Sequence, residues 1–103
     1  FRMALKLTRF DIIDFLKTDE DIDHYLAVVA EENDPDFLAR ALGDVARARG
    51  MSQLARETGI SRMGLIKALS GNGNPSFATI TKVLDALGYR IDIVPKTKQR
   101  AAE

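Results

Sequence analysis

Residues 52–71, SQLARETGISRMGLIKALSG, constrain the fold of this chain more than any other stretch. Ser52 is a favourable N-cap for a first short helix, since a serine hydroxyl accepts a hydrogen bond from a free backbone N–H. Gly59 can end that helix, because glycine adopts the left-handed conformation without a Cβ penalty. Ser61 can then cap a second helix, which Gly71 would close. The stretch therefore predicts two short helices joined by a tight turn.

The apolar residues of the same stretch predict how the two helices pack. Leu65, Ala68 and Leu69 recur at helical spacing, which places them on the inner side of the second helix. Ala55 lies four residues before Gly59, where a small side chain allows two helices to cross closely. This is the layout of a helix-turn-helix, in which the second helix enters the major groove of DNA. An ordinary helical hairpin in a small bundle is the alternative.

Apolar periodicity and capping residues predict four more helices. They cover about residues 10–16, 19–32, 35–50 and 77–87. Their predicted N-caps are Thr8, Thr18, Asp34 and Ser76. The inward stripe predicted for the last helix is Phe77, Ile80, Val83, Leu84 and Leu87. The sequence thus predicts a single all-α domain, a helix-turn-helix bundle of about five to six helices, with one short β-strand at its C-terminal end.

Residues 89–94 alternate apolar and polar side chains and stop at Pro95, which predicts that strand. A single strand cannot satisfy its own backbone groups, so it needs a partner. The partner is either residues 4–8 of the same chain or the same strand of a second subunit. Pairing about a two-fold axis would give a homodimer, which suits a palindromic DNA site. Residues 96–103 are predicted to be a mobile polar tail.

The composition of the 103-residue chain limits its class. A hydrophobic content of 46% and a charged content of 29% are typical of a soluble globular domain. The chain has no cysteine, which excludes disulfides and thiolate metal sites. It contains no apolar run long enough for a membrane span and no visible signal peptide, so we expect a cytoplasmic protein.

Charge is unevenly distributed, although the net charge is zero. Residues 1–50 have 7 Lys/Arg and 11 Asp/Glu, whereas residues 51–103 have 8 and 4. Residues 11–36 contain ten acids and only one basic residue, Lys17. A basic half suits phosphate, and an acidic half would repel it and must face elsewhere. Many charge runs, however, are simply solvated faces.

Three side chains of the second helix of the motif are candidates for contact with DNA bases. Arg62 can donate two hydrogen bonds to guanine, Met63 can contact a thymine methyl group, and Lys67 follows one turn later. Ser61 and Gly64 belong to the same candidate surface. A glycine inside a helix costs about 1 kcal/mol, and Gly64 either allows close approach to DNA or is merely tolerated. The alternative role for Arg62 is a phosphate contact or a free surface position.

Four polar residues outside that helix are candidates for contact with phosphate. Gln53 begins the first helix of the motif, where its amide can reach the DNA backbone. Asn72, Asn74 and Ser76 flank a helix N-terminus, whose free N–H groups attract anions. Ordinary turn formation and capping explain each of them equally well.

The sequence contains little that would support catalysis. His24, the single histidine, stands among acids on a predicted helix, with no serine–histidine–acid pattern around it. No calcium-binding loop follows Asp19, Asp21 and Asp23, which argues against a metal site there. We therefore expect neither an enzyme nor a bound cofactor or metal.

Five segments of the chain resemble a known protein family. They are residues 7–11, 41–53, 59–62, 67–71 and 73–79, reading LTRFD, ALGDVARARGMSQ, GISR, KALSG and GNPSFAT. On these residues the chain resembles HigA-like antitoxins, the probable addiction module antidote proteins, which have a lambda-repressor-like DNA-binding domain. The resemblance implies an antitoxin that neutralises a RelE/ParE-like toxin and binds operator DNA to repress its own operon. Met63 and Gly64 depart from the family, which usually has polar residues there, so the operator sequence is left open.

The acidic N-terminal half is a candidate surface for such a toxin, because a ribonuclease that handles RNA is basic. The apolar residues of the first short helix add candidate contacts. They are Phe10, Ile13, Phe15 and Leu16. The alternative is that this helix only closes the core. Rival functions are a stand-alone helix-turn-helix repressor without a toxin partner, a module that interacts only with protein, and a small hydrolase.

Overall fold

The computed structural model describes residues 9–96, with side chains from residue 12 onward. Over that range the chain forms six α-helices and no strand. The helices are α1 (Arg9–Phe15), α2 (Asp19–Glu31), α3 (Pro35–Arg49), α4 (Met51–Thr58), α5 (Arg62–Ala68) and α6 (Phe77–Leu87). The predicted all-α architecture is confirmed for these residues. The predicted N-terminal extended segment at residues 4–8, and the tail beyond residue 96, lie outside the described residues.

Three of the predicted N-caps form as expected. The Thr18 hydroxyl accepts a hydrogen bond from the Asp21 N–H (3.0 Å), and the Asp21 carboxylate accepts one from the Thr18 N–H (3.1 Å). Asp34 caps α3 by accepting from the N–H groups of residues 36 and 37. Ser76 caps α6 by accepting from the Thr79 N–H at 3.1 Å. Local sequence therefore defines where α2, α3 and α6 begin.

Helix α3 is the centre of the bundle, and each of the other five helices packs against it. Its inner residues are small or branched and fully buried: Ala41, Leu42, Val45 and Ala46. Small side chains let neighbouring helices approach closely. A Cβ atom added at Gly43 would lie 2.8 Å from the Leu69 carbonyl oxygen, so only glycine fits where the end of α5 crosses α3.

Two polar contacts join α2 to α3. The Tyr25 hydroxyl donates a hydrogen bond to the buried Asp44 carboxylate at 3.2 Å. Arg47 lies 3.8 Å from the same carboxylate. At the other end of the pair, Arg49 contacts Asp19 at 3.0 Å. These contacts define how the acidic helix α2 lies on the central helix.

The predicted cap at Ser52 is wrong. The N-cap of α4 is Gly50, two residues earlier, so the helix begins at Met51, and Gly50 makes no side-chain cap bond. The reason is tertiary: Met51 is buried in the core, whereas Ser52 is exposed. Gly50 has φ 118°, a conformation that glycine adopts readily, so a single residue separates α3 from α4.

Near the C-terminal end of the chain one expectation needs correction and another is not confirmed. Phe77 is exposed, although it was predicted to be a core residue, because it is the first residue of α6 and lies at the rim of the bundle. The predicted strand at residues 89–94 does not form within the described chain. One proposed partner, residues 4–8, is outside the described residues, and pairing with a second chain stays a prediction.

Candidate functional site

Helices α4 and α5 are joined by a three-residue turn, as the sequence predicted. Gly59 ends α4 in the left-handed conformation, φ 78°, and its N–H donates to the Ala55 carbonyl at 2.9 Å. Ser61 caps α5 by accepting a hydrogen bond from the Gly64 N–H at 3.0 Å. Ala55, at the predicted crossing position, is partly buried against the core. Two short helices joined by a tight turn are therefore present at residues 51–68.

A threonine that the sequence analysis missed holds the turn together. The Thr58 hydroxyl donates to the Leu54 carbonyl at 2.9 Å and accepts from the Ile60 N–H at 3.2 Å. Ile60 packs against the core, and Leu65 and Leu69 anchor the inner side of α5. The orientation of α5 is thus defined by hydrogen bonds at its start and by apolar burial along its length.

The three predicted base-contacting side chains all lie at the surface of α5. Arg62, Met63 and Lys67 are exposed, whereas Leu65 between them is fully buried. An exposed methionine is unusual, because its side chain loses favourable burial. Two positive charges and one exposed thioether on a short, well-anchored helix form a surface that can contact a polyanion and the apolar edge of a base.

Packing within the motif explains Gly64. A Cβ atom added there would lie 3.0 Å from the Ser61 hydroxyl oxygen and 3.2 Å from a methyl carbon of Ile60. Any side chain at this position would crowd the N-cap and the turn. The missing side chain of Gly64 therefore faces the turn of the motif, and packing there favours a glycine without invoking a ligand.

Two of the four side chains predicted to contact phosphate already make hydrogen bonds within the protein. The Gln53 amide donates to the Glu57 carboxylate at 2.9 Å along α4, although both are exposed. The Ser76 hydroxyl is occupied by the cap of α6 and by a bond to the Thr79 hydroxyl at 3.1 Å. Asn72 and Asn74 are exposed in the loop. Of the four, the two asparagines are the ones whose side chains make no such hydrogen bond, and Asn74 lines an apolar groove.

The loop that carries these residues is packed closely onto the end of α5 and onto α3. A Cβ atom at Gly73 would lie 2.3 Å from the Lys67 carbonyl oxygen, and one at Gly71 would lie 2.5 Å from Cγ of Arg40. Asn74 has a positive φ of 48°. The glycines thus allow close contact in this loop rather than forming a nucleotide cradle.

The apolar residues of α1 do not form one surface. Leu16, just after the helix, is buried in the core with 4% exposure, so its predicted contact with a partner is wrong. Phe15 is 67% exposed, and Ile13 is half-buried. The side chain of Phe10 is outside the described side chains. Leu16 therefore anchors the helix on the bundle, while Phe15 and Ile13 remain accessible; we call these two residues the α1 patch.

Several acids of residues 11–36 already have partners within the protein. Asp19 contacts Arg49, Asp21 completes a capping box, Asp23 accepts from Tyr89, and Asp34 caps α3. The hydrogen bond from the Thr18 backbone N–H lowers the pKa of Asp21 below its usual 3.8. Four of the ten acids of this segment therefore have partners at helix ends or in contacts within the bundle.

An apolar groove of about 740 Å³ lies between α2, the start of α3, α6 and residues 89–92. Its walls include the apolar residues Leu26, Ala27, Ala30, Leu38, Ile80 and Leu84. No sequence pattern indicates this groove, because its walls come from segments far apart in the chain. Exposed Phe77 and Ile91 both line it.

The part of the chain that the structure describes has neither a metal-binding cluster nor a membrane-spanning helix. Residues 9–96 contain no group of three or more histidine, cysteine, aspartate or glutamate side chains placed to hold a metal ion. His24 is exposed on α2. None of the six helices has the length and apolar character to cross a membrane.

Comparison with known proteins gives two matches. Residues 6–95 match the protein family described as "Probable addiction module antidote protein". A Haemophilus influenzae protein, itself described as uncharacterized, is 48% identical over 91 residues, which are 88% of this chain and 94% of that relative. No solved structure matches the chain. The family match spans all six helices.

Proposed function

Because this chain belongs to the family of probable addiction module antidote proteins, we propose that it neutralises a RelE/ParE-like toxin and represses its own operon by binding operator DNA. Membership of the family implies the toxin partner. The observation that carries the DNA-binding half is the exposed surface of α5, with Arg62, Met63 and Lys67 presented by a helix anchored through Leu65. The protein acts where its operator lies, in the cytoplasm.

In this proposal α5 enters the major groove with its N-terminal end first. Arg62, at the start of the helix, donates to guanine O6 and N7, and Met63 contacts a thymine methyl group. Lys67, one turn later, contacts phosphate and orients the helix. Asn72 and Asn74 add backbone contacts from the loop. Two copies of the chain bind the two halves of a palindromic site.

The α1 patch is the proposed contact for the toxin. Phe15 is exposed, and aromatic side chains dominate the binding energy of many interfaces once they are buried. Leu16 holds the same segment on the core, which keeps the patch on a fixed support. Unpaired acids nearby, Asp14 and Glu20 among the exposed ones, would complement a basic toxin surface.

Replacing Arg62 with alanine tests the DNA-binding half. If Arg62 reads a base, the variant loses on the order of 1–3 kcal/mol of binding free energy on the promoter of its own operon, and discrimination at one position of each half-site is relaxed. The matched control is Lys17→Ala, which removes the same charge between α1 and α2, outside the α4–α5 unit. Fluorescence anisotropy with operator and scrambled duplexes measures the affinity and the discrimination of each variant.

The result also separates the roles of Arg62. A uniform loss on both duplexes would assign Arg62 to phosphate rather than to a base. Equal binding of the wild type and the Arg62→Ala variant to the operator would remove α5 from the interface and contradict the DNA-binding proposal.

A further inference from the structure

Residues 89–94 begin on the bundle and then leave it. The Tyr89 N–H donates to the Leu84 carbonyl at 2.8 Å, and its hydroxyl donates to Asp23. Beyond that anchor, Ile91 is 44% exposed, Ile93 90% and Val94 72%. Three exposed branched apolar side chains within four residues are unfavourable in a monomer.

The backbone of this segment is also open. Among the described residues, no backbone–backbone hydrogen bond joins residues 90–95 to another part of the chain. The Ile93 N–H donates only to the neighbouring Asp92 carboxylate, at 2.9 Å. A segment with free N–H and C=O groups and alternating apolar side chains is a template for pairing with another strand.

We propose that two copies of this chain pair through residues 89–93 as antiparallel strands, with Ile91 opposite its own copy on the two-fold axis. The inference deepens the homodimer named in the proposed function. It concerns assembly of the protein alone, so it can be tested without DNA or toxin.

The register follows from the order Tyr89-Arg90-Ile91-Asp92-Ile93, which is complementary to itself when one copy is reversed. With Ile91 on the axis, Arg90 of each copy faces Asp92 of the other. Tyr89 faces Ile93, an aromatic residue opposite a β-branched one. Both kinds of cross-strand pair stabilise antiparallel strands.

The neighbouring registers lack this match. Centring the pair on Arg90 or on Asp92 places two like charges directly opposite each other, which is destabilising. An offset by one residue places the charged side chains opposite isoleucines and mixes the two faces of the strand. Only the register centred on Ile91 pairs every charge with its opposite.

The apolar groove offers a surface against which an exposed isoleucine of the second copy can be buried. Residues 89–92 form one of its walls, next to Leu26, Ile80 and Leu84. In the proposed register the second copy's Ile93 lies opposite Tyr89 and therefore beside that wall. Pairing thus brings the most exposed apolar side chain of the segment against the apolar groove of the bundle.

Engineered cysteines test the register directly, because the natural chain has no cysteine. Opposed residues of an antiparallel pair have Cα atoms about 4.5–5.5 Å apart, which a disulfide can bridge. Ile91→Cys is therefore expected to give a covalent dimer under mild oxidation. The matched control is Ile93→Cys: in this register its two copies lie about 14 Å apart, too far for a bond.

The control is stringent, because Ile93 is twice as exposed as Ile91 and random collision would cross-link it faster. More rapid cross-linking of Ile93→Cys than of Ile91→Cys would overturn the register. A wild-type protein that stays monomeric in sedimentation equilibrium at high micromolar concentration would overturn the dimer itself.

A charge exchange gives an independent test. Arg90→Asp places acids opposite acids and Asp92→Arg places bases opposite bases, so each variant is expected to weaken dimerisation by about tenfold. The double variant Arg90→Asp/Asp92→Arg recreates both pairs and is expected to recover the wild-type dissociation constant. Circular dichroism checks that all three variants fold.

Failure of the double variant to recover dimerisation while it remains folded would contradict the proposed ion pairs. Loss of operator binding with an intact cross-linked Ile91→Cys dimer would count against the DNA-binding proposal alone. The assembly and the function therefore succeed or fail separately.

Discussion

The Tyr89 hydroxyl donates a hydrogen bond to the Asp23 carboxylate, joining two residues 66 positions apart in the chain. The contact ties the segment that leaves α6 to the middle of the acidic helix α2. It closes one side of the apolar groove, since both residues line it. Partial burial, followed by this hydrogen bond, raises the pKa of Tyr89 from 10.0 to about 12.

Replacing Tyr89 with phenylalanine removes the hydroxyl and keeps the ring. We expect the free energy of unfolding to fall by about 1 kcal/mol, the usual net value of one hydrogen bond. Urea denaturation measures the change. In an Asp23→Ala background the same substitution should cost almost nothing, because the partner is already gone. Equal losses in both backgrounds would show that the hydroxyl acts through another group.

The raised pKa of Tyr89 predicts a loss of stability at alkaline pH. The tyrosine of the unfolded chain releases its proton near pH 10.0, whereas the folded protein holds it to about 12. Between these values the folded state binds more protons than the unfolded state, so the free energy of unfolding decreases as pH rises. Below pH 10 the contribution is complete. The difference in stability between wild type and Tyr89→Phe should therefore shrink through this window, and a constant difference would contradict the assignment.

Gly43→Ala is predicted to destabilise the protein, although alanine is the better helix former. Propensity alone would favour the alanine by about 1 kcal/mol. The new Cβ atom, however, would lie 2.8 Å from the Leu69 carbonyl oxygen and 3.3 Å from the Leu69 Cβ. Such overpacking costs about 1–3 kcal/mol, so the net change should be a loss. Thermal denaturation shows whether the variant is less or more stable than the wild type. A higher melting temperature for the variant would show that α5 can move away from α3.

Phe15 and Leu16 are adjacent at the end of α1, but replacing them is predicted to change different properties: toxin neutralisation for Phe15 and stability for Leu16. Leu16→Ala creates a cavity in the core and should cost about 2–5 kcal/mol of stability. Phe15→Ala changes an exposed side chain and should alter stability by less than about 0.5 kcal/mol, yet weaken neutralisation of the toxin. Circular dichroism measures the first effect, and growth during co-expression with the toxin of the same module measures the second. Full protection by Phe15→Ala would place the toxin contact away from the α1 patch.

Local sequence signals were sufficient for most of the fold. The caps at Thr18, Asp34, Ser61 and Ser76 formed where predicted, and Gly59 ended α4 in the left-handed conformation. These features depend on hydrogen bonds between residues at most a few positions apart. Such bonds are available to the chain whatever its other parts do, so a reading of the sequence can find them.

The errors within the helices concern which residue of a helix meets the rest of the bundle. Gly50, rather than Ser52, caps α4, because the side chain of the next residue, Met51, reaches the core. Leu16 is buried beside an exposed Phe15, and Phe77 lies outside the core despite its apolar character. Periodicity assigns a face to a helix, but it does not say how far along the helix the neighbouring elements extend.

The sequence by itself determined the helical class, five of the six helix starts to within a residue, the turn between α4 and α5 and the exposed residues of α5 that we propose contact DNA. Tertiary structure alone decided the close approach of α5 to Gly43, the contact between Tyr89 and Asp23 and the groove beside it. The physical reason is the range of the interactions involved. Capping and periodicity are properties of neighbouring residues, whereas close packing and grooves exist only where distant segments meet.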